Sequence, residues 1–161
     1  PGTRTGDAGI DAVIAALEQG TPGAISPVVA WRDIACTPPP ALGIGGPPLC
    51  DDGVAGGTLV PVVQAGGCEG SWLSKADVEV NGLPYYTAAR IAAVAKNRSA
   101  DAGGDYLIVY SSRSSPPPAP EIALRVYVTN GKITRLSSGC GQSVADLVSG
   151  IAPGDFLLAP R

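Results

Sequence analysis

Apolar residues first fall into a regular pattern in GDAGIDAVIAALEQG, residues 6–20, where Ile10, Val13, Ile14 and Leu17 occupy i, i+3, i+4 and i+7. That spacing places them on one stripe of a helix. Asp7 supplies an N-cap oxygen, and Gly20 tolerates the left-handed conformation that closes a helix. TPGAISPVVA follows, with Thr21 as a cap and Pro22 at the first helical position; Pro27 limits this second helix to a turn or two. The pattern then becomes extended. VVAWRDIAC reads as a first strand, and GTLVPVVQAGGC as a second, with Pro61 implying an edge position or a bulge. SKADVEV fits a short helix opening at Ser74, while Val78 and Val80 also alternate as in a strand.

Three stronger strand segments come next: YYTAARIAAV, DYLIVYSS and EIALRVYVTNGKITRLSS. In the last, Ile122, Leu124, Val126 and Val128 alternate up to Asn130-Gly131, a two-residue hairpin signal, and Ile133 alternates with Lys132 and Arg135 beyond it. This predicts an antiparallel meander with one buried face. SVADLVSG reads as a short helix and IAPGDFLLAPR, residues 151–161, as an apolar tail expected to dock, either within the chain or on a neighbour. SSRSSPPPAP, residues 111–120, is a Pro/Ser connector between two strands, expected to be a protruding loop. Helices followed by a meander give the α+β class: N-terminal helices packed on a curved antiparallel sheet, in a single domain spanning residues 1–161.

Composition sharpens this picture. Apolar residues reach 45% while aromatics are 5%, so the core is expected to be built from Val, Ile, Leu and Ala. The 22 glycines and 16 prolines cluster between the hydrophobic runs, which implies long ordered loops and not a disordered chain. Net charge is -3 with the basic residues scattered, so no basic face for nucleic acid is expected. No apolar run approaches the roughly 18 residues of a membrane span. The first residue is Pro1, which suggests a processed product or an excised domain.

The four cysteines, Cys36, Cys50, Cys68 and Cys140, lack the spacing of a zinc or redox motif. An even count favours two disulfides and an oxidising compartment; four buried thiols are the alternative. Of three possible pairings, Cys36–Cys50 with Cys68–Cys140 is expected, because CTPPPALGIGGPPLC is an aperiodic, uncharged loop that needs closing. Leu42, Ile44 and Leu49 within it, like Ile151, Phe156, Leu157 and Leu158 in the tail, are apolar positions that either fold back or form an interface.

Helix pair then meander resembles the NTF2-like (cystatin-like cone) architecture. TGDAGIDAVIAALEQGTPGAI, GGPPLC, GTLVPVVQAGGCEG and GKITRLSSGCG resemble an uncharacterised cysteine-containing domain of secreted proteins and lipoproteins from high-GC bacteria. The resemblance implies an extracytoplasmic location and no activity.

The candidate chemistry is sparse. With no histidine there is no Ser-His-Asp or Cys-His arrangement. Asp51 and Asp52 could hold calcium only with loop carbonyls, and adjacent aspartates at a turn are usually solvated. Asp33, Glu69, Asp77 and Glu79 are the nominal carboxylates for a cleft, set against the plainer reading of loop carboxylates bonding backbone amides. The glycine runs lack the lysine or the strand–helix context of a phosphate site, so no cofactor is expected. Trp31, Trp72, Tyr85, Tyr86, Tyr106, Tyr110 and Tyr127 could line a pocket for a glycan or apolar ligand, although strand tyrosines are more often packing. Asn97-Arg98-Ser99 is a glycosylation sequon by pattern. These features together predict a non-enzymatic extracellular structural or adhesive domain that associates with itself or with another surface protein; the alternative is a small-molecule binding module.

Overall fold

In the computed structural model, which describes residues 2–40, 43, 45–66, 70–83, 90–99, 103–112, 122–138 and 140–160, local signals start and stop the helices. Helix α1 (Ala8–Gln19) opens where the Asp7 carboxylate accepts the backbone N–H groups of Gly9 and Ile10, at 2.9 and 3.0 Å. It closes at Gly20, φ 66°, whose N–H returns to the Ala16 carbonyl. Helix α2 (Pro22–Ile25) has Thr21 at its N-cap, though without a side-chain hydrogen bond, and Pro27 falls in the 3-10 turn Ser26–Val28 that ends it.

Eight strands follow: β1 (Arg32–Ala35), β2 (Leu59–Gly66), β3 (Gly70–Ser74), β4 (Arg90–Lys96), β5 (Tyr106–Ser112), β6 (Ile122–Thr129), β7 (Lys132–Ser138) and β8 (Phe156–Leu158). Two further helices, α3 (Lys75–Asn81) and α4 (Val144–Val148), complete an α+β fold. The strand order is β1-β2-β7-β6-β5-β4-β8, with β3 paired to β2. β4 through β7 form the expected antiparallel meander, and Asn130 (φ 50°) and Gly131 (φ 68°) make its tightest turn. Both residues in the left-handed region give the turn whose twist suits a hairpin.

Two local readings are resolved. The segment SKADVEV is helical: Ser74 Oγ accepts the Asp77 N–H at 3.1 Å, and Val78 is buried while Val80 is exposed. A strand would have put both valines on one face. The first strand begins only at Arg32, because Val28 belongs to the preceding 3-10 turn and Val29 meets β7 through a single bridge to Ile133.

The expectation of one buried sheet face needs correction, since both faces are covered. On one side Ile108, Tyr110, Leu124, Val126 and Ile133 share a core with Ile10, Val13, Ile14 and Leu17 of α1. On the other side Ala93, Leu107, Val109 and Tyr127 pack with Leu147 of α4, joined by Ile151 and Phe156. The physical reason is the continuous apolar run in β5: Tyr106, Ile108 and Tyr110 point one way, and Leu107 and Val109 point the other.

β2 is a junction. Val62 pairs with both Arg32 and Ser74, so β1 and β3 lie on its opposite edges. Further along, Gln64 meets Arg135 of β7 in parallel, on the edge that β1 has left. Strands β1, β2 and β3 thus form a small lobe attached to the main sheet. Pro61 fits because β3 reaches only as far as Val62, leaving no partner for the N–H that proline lacks.

The start of α1 presses on the β6–β7 turn. A Cβ placed on Gly9 would lie 2.9 Å from the Gly131 Cα. In an ordinary exposed helical position, Gly→Ala gains about 1 kcal/mol. Here the obstacle is backbone, and moving it would lift a helix whose apolar stripe is fully buried. Overpacking of this kind costs about 1–3 kcal/mol. Gly9→Ala is therefore expected to lower the urea midpoint; a raised midpoint would show that the turn gives way freely.

Candidate functional site

The aperiodic loop after β1 is held at its neck by backbone and by sulfur. The Cys36 N–H bonds the Thr58 carbonyl, and the Gly57 N–H bonds Cys36. Thr37 donates to Pro48 and accepts from Cys50, so the two ends of the loop run side by side as a parallel bridge. Cys36 and Cys50, both buried, are joined by a disulfide with their Cα atoms 4.9 Å apart. Among the described residues no cysteine is free, Cys140 included. Its expected partner Cys68 lies outside the described residues, as do Leu42 and Ile44.

The far side of the loop is fastened to β3. Trp72 Nε1 donates to the Gly46 carbonyl at 2.8 Å, and the Gly45 N–H donates to Gly70 at 3.2 Å. Trp72 pairs with Gln64, and Ser74 with Val62, on the lobe face opposite Val63 and Leu73, which pack into the main core. Between that face and the loop lies an open groove of about 550 Å³. Val60, Val62 and Trp72 form its floor; Pro47, Pro48 and Leu49 form its wall. Leu49 remains 49% exposed, one of the few large apolar side chains so placed among the described residues. Asp51 and Asp77 also line the groove.

The nominal carboxylates do not converge. Asp33 stands exposed on β1, away from the groove, and pairs in register with Pro61. Asp77 is exposed and accepts the Ser74 hydroxyl at 2.7 Å. Glu79 accepts the Ser26 hydroxyl at 3.1 Å and faces Lys75 at 3.7 Å, while Glu69 lies outside the described residues. Asp51 and Asp52 are both exposed, and no cluster of three metal-ligating side chains occurs among the described residues.

Three carboxyls elsewhere are held below the usual aspartate range, each in a structural role. The Arg98 guanidinium lowers Asp155, by its hydrogen bond and its charge, against an opposing desolvation cost, and the Ser143 hydroxyl and N–H lower Asp146 in a capping box. Burial works to raise Asp11, but the Thr5 and Gly6 amides, the Thr5 hydroxyl and the Arg4 charge outweigh it.

The aromatic set is likewise dispersed. Trp31 donates Nε1 to the Ser26 carbonyl at 3.1 Å and packs with Tyr106 against the main core. Tyr110 and Tyr127 are buried on opposite faces of the sheet, and Tyr85 and Tyr86 lie outside the described residues. Trp72 is the aromatic of this set that lines the groove. Asn97 is a turn residue: Nδ2 donates to the Gly104 carbonyl at 2.6 Å, and Oδ1 accepts the Ser99 N–H at 3.2 Å. Ile151 and Phe156 pack on the α4 side of the sheet, and Leu157 and Leu158 pack on the α1 side.

Sequence reasoning did not connect Trp72 with the Pro/Gly loop or with Val60 and Val62. The available signal was the indole N–H itself, which seeks a partner wherever a tryptophan is partly buried. No protein-family model, curated protein or solved structure matches the chain.

Proposed function

We propose that this chain is a non-enzymatic extracellular domain with a structural or adhesive role, contacting another protein or another copy of itself through the braced lobe. The observation that carries this reading is the groove between β3 and the disulfide-closed loop. A loop fixed by Cys36–Cys50, by its own parallel bridge and by Trp72 holds apolar surface toward solvent with little freedom left to lose on binding. Disulfide use supports the extracellular assignment. Among the described residues, no helix is long and apolar enough to cross a membrane.

Leu49→Asp tests it. The substitution sits at an exposed position, so the fold is expected to stand, while association measured by sedimentation over a range of concentrations, or adhesion to the native cell surface, is expected to fall. Unchanged association and adhesion would remove the lobe from the reading.

A small-molecule module, in the manner of an NTF2-like cone, is the second reading. The groove volume favours it, being within the range of ligand pockets. The ligand, an apolar molecule or glycan, would occupy the lobe and not the sheet face beneath α1, where Ile108, Tyr110 and Leu124 are fully buried. A ligand at a hundred times its dissociation constant stabilises a fold by about 2.7 kcal/mol. Thermal shifts with panels of apolar ligands and oligosaccharides therefore separate the two readings.

A further inference from the structure

We propose that the groove receives an extended peptide segment of a partner protein, added as a strand to the outer edge of β3, with basic side chains set against Asp51 and Asp77. The proposal rests on the recognition role above and assigns the chemistry of the partner.

The edge follows from the hydrogen-bond alternation. The Cys36 N–H bonds the Thr58 carbonyl, and β1 pairs onward with Val60 and Val62, so even-numbered residues of β2 direct their backbone groups toward β1. Val63 and Ala65 then bond β3, through Leu73 and Ser71. Gly70, Trp72 and Ser74 must point their backbone the other way, and the Gly45 N–H reaching the Gly70 carbonyl agrees. Among the described residues, no strand pairs with that edge. The backbone N–H and C=O of Trp72 are thus presented beside the groove, while its indole is fixed by Gly46 and cannot swing across them. An extended peptide satisfies such an edge by main-chain pairing, and alternate side chains enter the pocket beside it.

Charge selects the sequence class. Asp51 and Asp77 are the charged residues among the described lining, and among the described residues neither makes an ion pair. The floor and wall offer Val60, Val62, Pro47, Pro48 and Leu49 to apolar side chains. An apolar strand with a lysine or arginine meets both features; an acidic strand is repelled.

The test uses a displayed library of random linear peptides panned on the intact oxidised chain. The expected result is enrichment of extended sequences that mix β-branched and basic residues. Their affinity should weaken about tenfold in Asp51→Asn/Asp77→Asn and fall with added salt. N-methylation of alternate peptide amides, in the register that faces Trp72, should abolish binding while the opposite register tolerates it. Docking by side chains alone would not distinguish the registers. Three results overturn the proposal: no enrichment, enrichment of acidic peptides, or equal tolerance of both N-methylation registers. If the chain associates through Leu49 and yet fails this test, the recognition role stands and the peptide assignment falls.

Discussion

Truncation after Gly150 is expected to cost the isolated chain about 3–6 kcal/mol, a large part of the stability of an ordinary domain. The removed segment supplies Ile151, Phe156, Leu157 and Leu158, all partly buried, and full burial of such side chains is worth about 1.5–3 kcal/mol each. Halving that, because burial is incomplete and the unfolded chain already covers part of this surface, gives the range. Two further effects act in the same direction. β8 pairs with Val94 and Ala95, so its loss uncovers the edge of β4. Asp155 accepts Nε and Nη2 of Arg98 at 3.0 and 2.8 Å, fixing the 3-10 turn Pro153–Asp155 that leads into β8. The tail reaches both faces of the sheet at once, with Phe156 on the α4 side and Leu157 and Leu158 on the α1 side. Urea unfolding of the truncated chain, monitored at a concentration where it sediments as a monomer, measures the loss. A shortened chain that keeps its midpoint but no longer associates would make the segment an interface. If neither property changes, its contacts with the sheet carry no weight.

What the sequence discloses in advance follows the range over which each signal acts. α1 is legible because its cap, its stripe and its terminating glycine lie within residues 6–20. The Asn130-Gly131 hairpin is legible for the same reason, as is α4, where Ser143 and Asp146 cap each other within four residues. Burial of the second sheet face is encoded in the unbroken run Tyr106–Tyr110, but alternation in β6 is the more conspicuous pattern and suggests a single buried face. The junction at Val62 is not legible at all. It depends on β1, β3 and β7, which are far apart in the chain, sharing two edges of one strand. The groove inherits that limitation: its wall, Pro47, Pro48 and Leu49, and its floor, on β2 and β3, are brought together by the Trp72 indole on Gly46 and the Gly45 N–H on Gly70, which no local pattern announces.

Replacing both cysteines of the closed loop, Cys36→Ser with Cys50→Ser, is expected to destabilise the protein by about 3 kcal/mol, the loop-closure value for a ring of this size. The separation of 14 residues sets the ring, and five prolines among them already restrict its freedom when unfolded. Serine adds a smaller penalty of its own, because the Ala55 carbonyl that the two sulfurs approach at 3.8 and 3.6 Å already accepts the hydroxyl and the N–H of Thr58, at 2.6 and 3.2 Å. The parallel bridge at Thr37 and Leu49 remains, as do the contacts of Trp72 with Gly46, so the loop need not collapse entirely. The loss should therefore divide unevenly across the molecule. Hydrogen exchange at the amides of Thr37, Gly45 and Cys50 is expected to accelerate well beyond that of Ile108 or Val126 in the main core. Equal acceleration everywhere would show the lobe and main sheet unfolding as one unit. An unchanged midpoint would show that the bridge and the tryptophan hold the loop closed without sulfur.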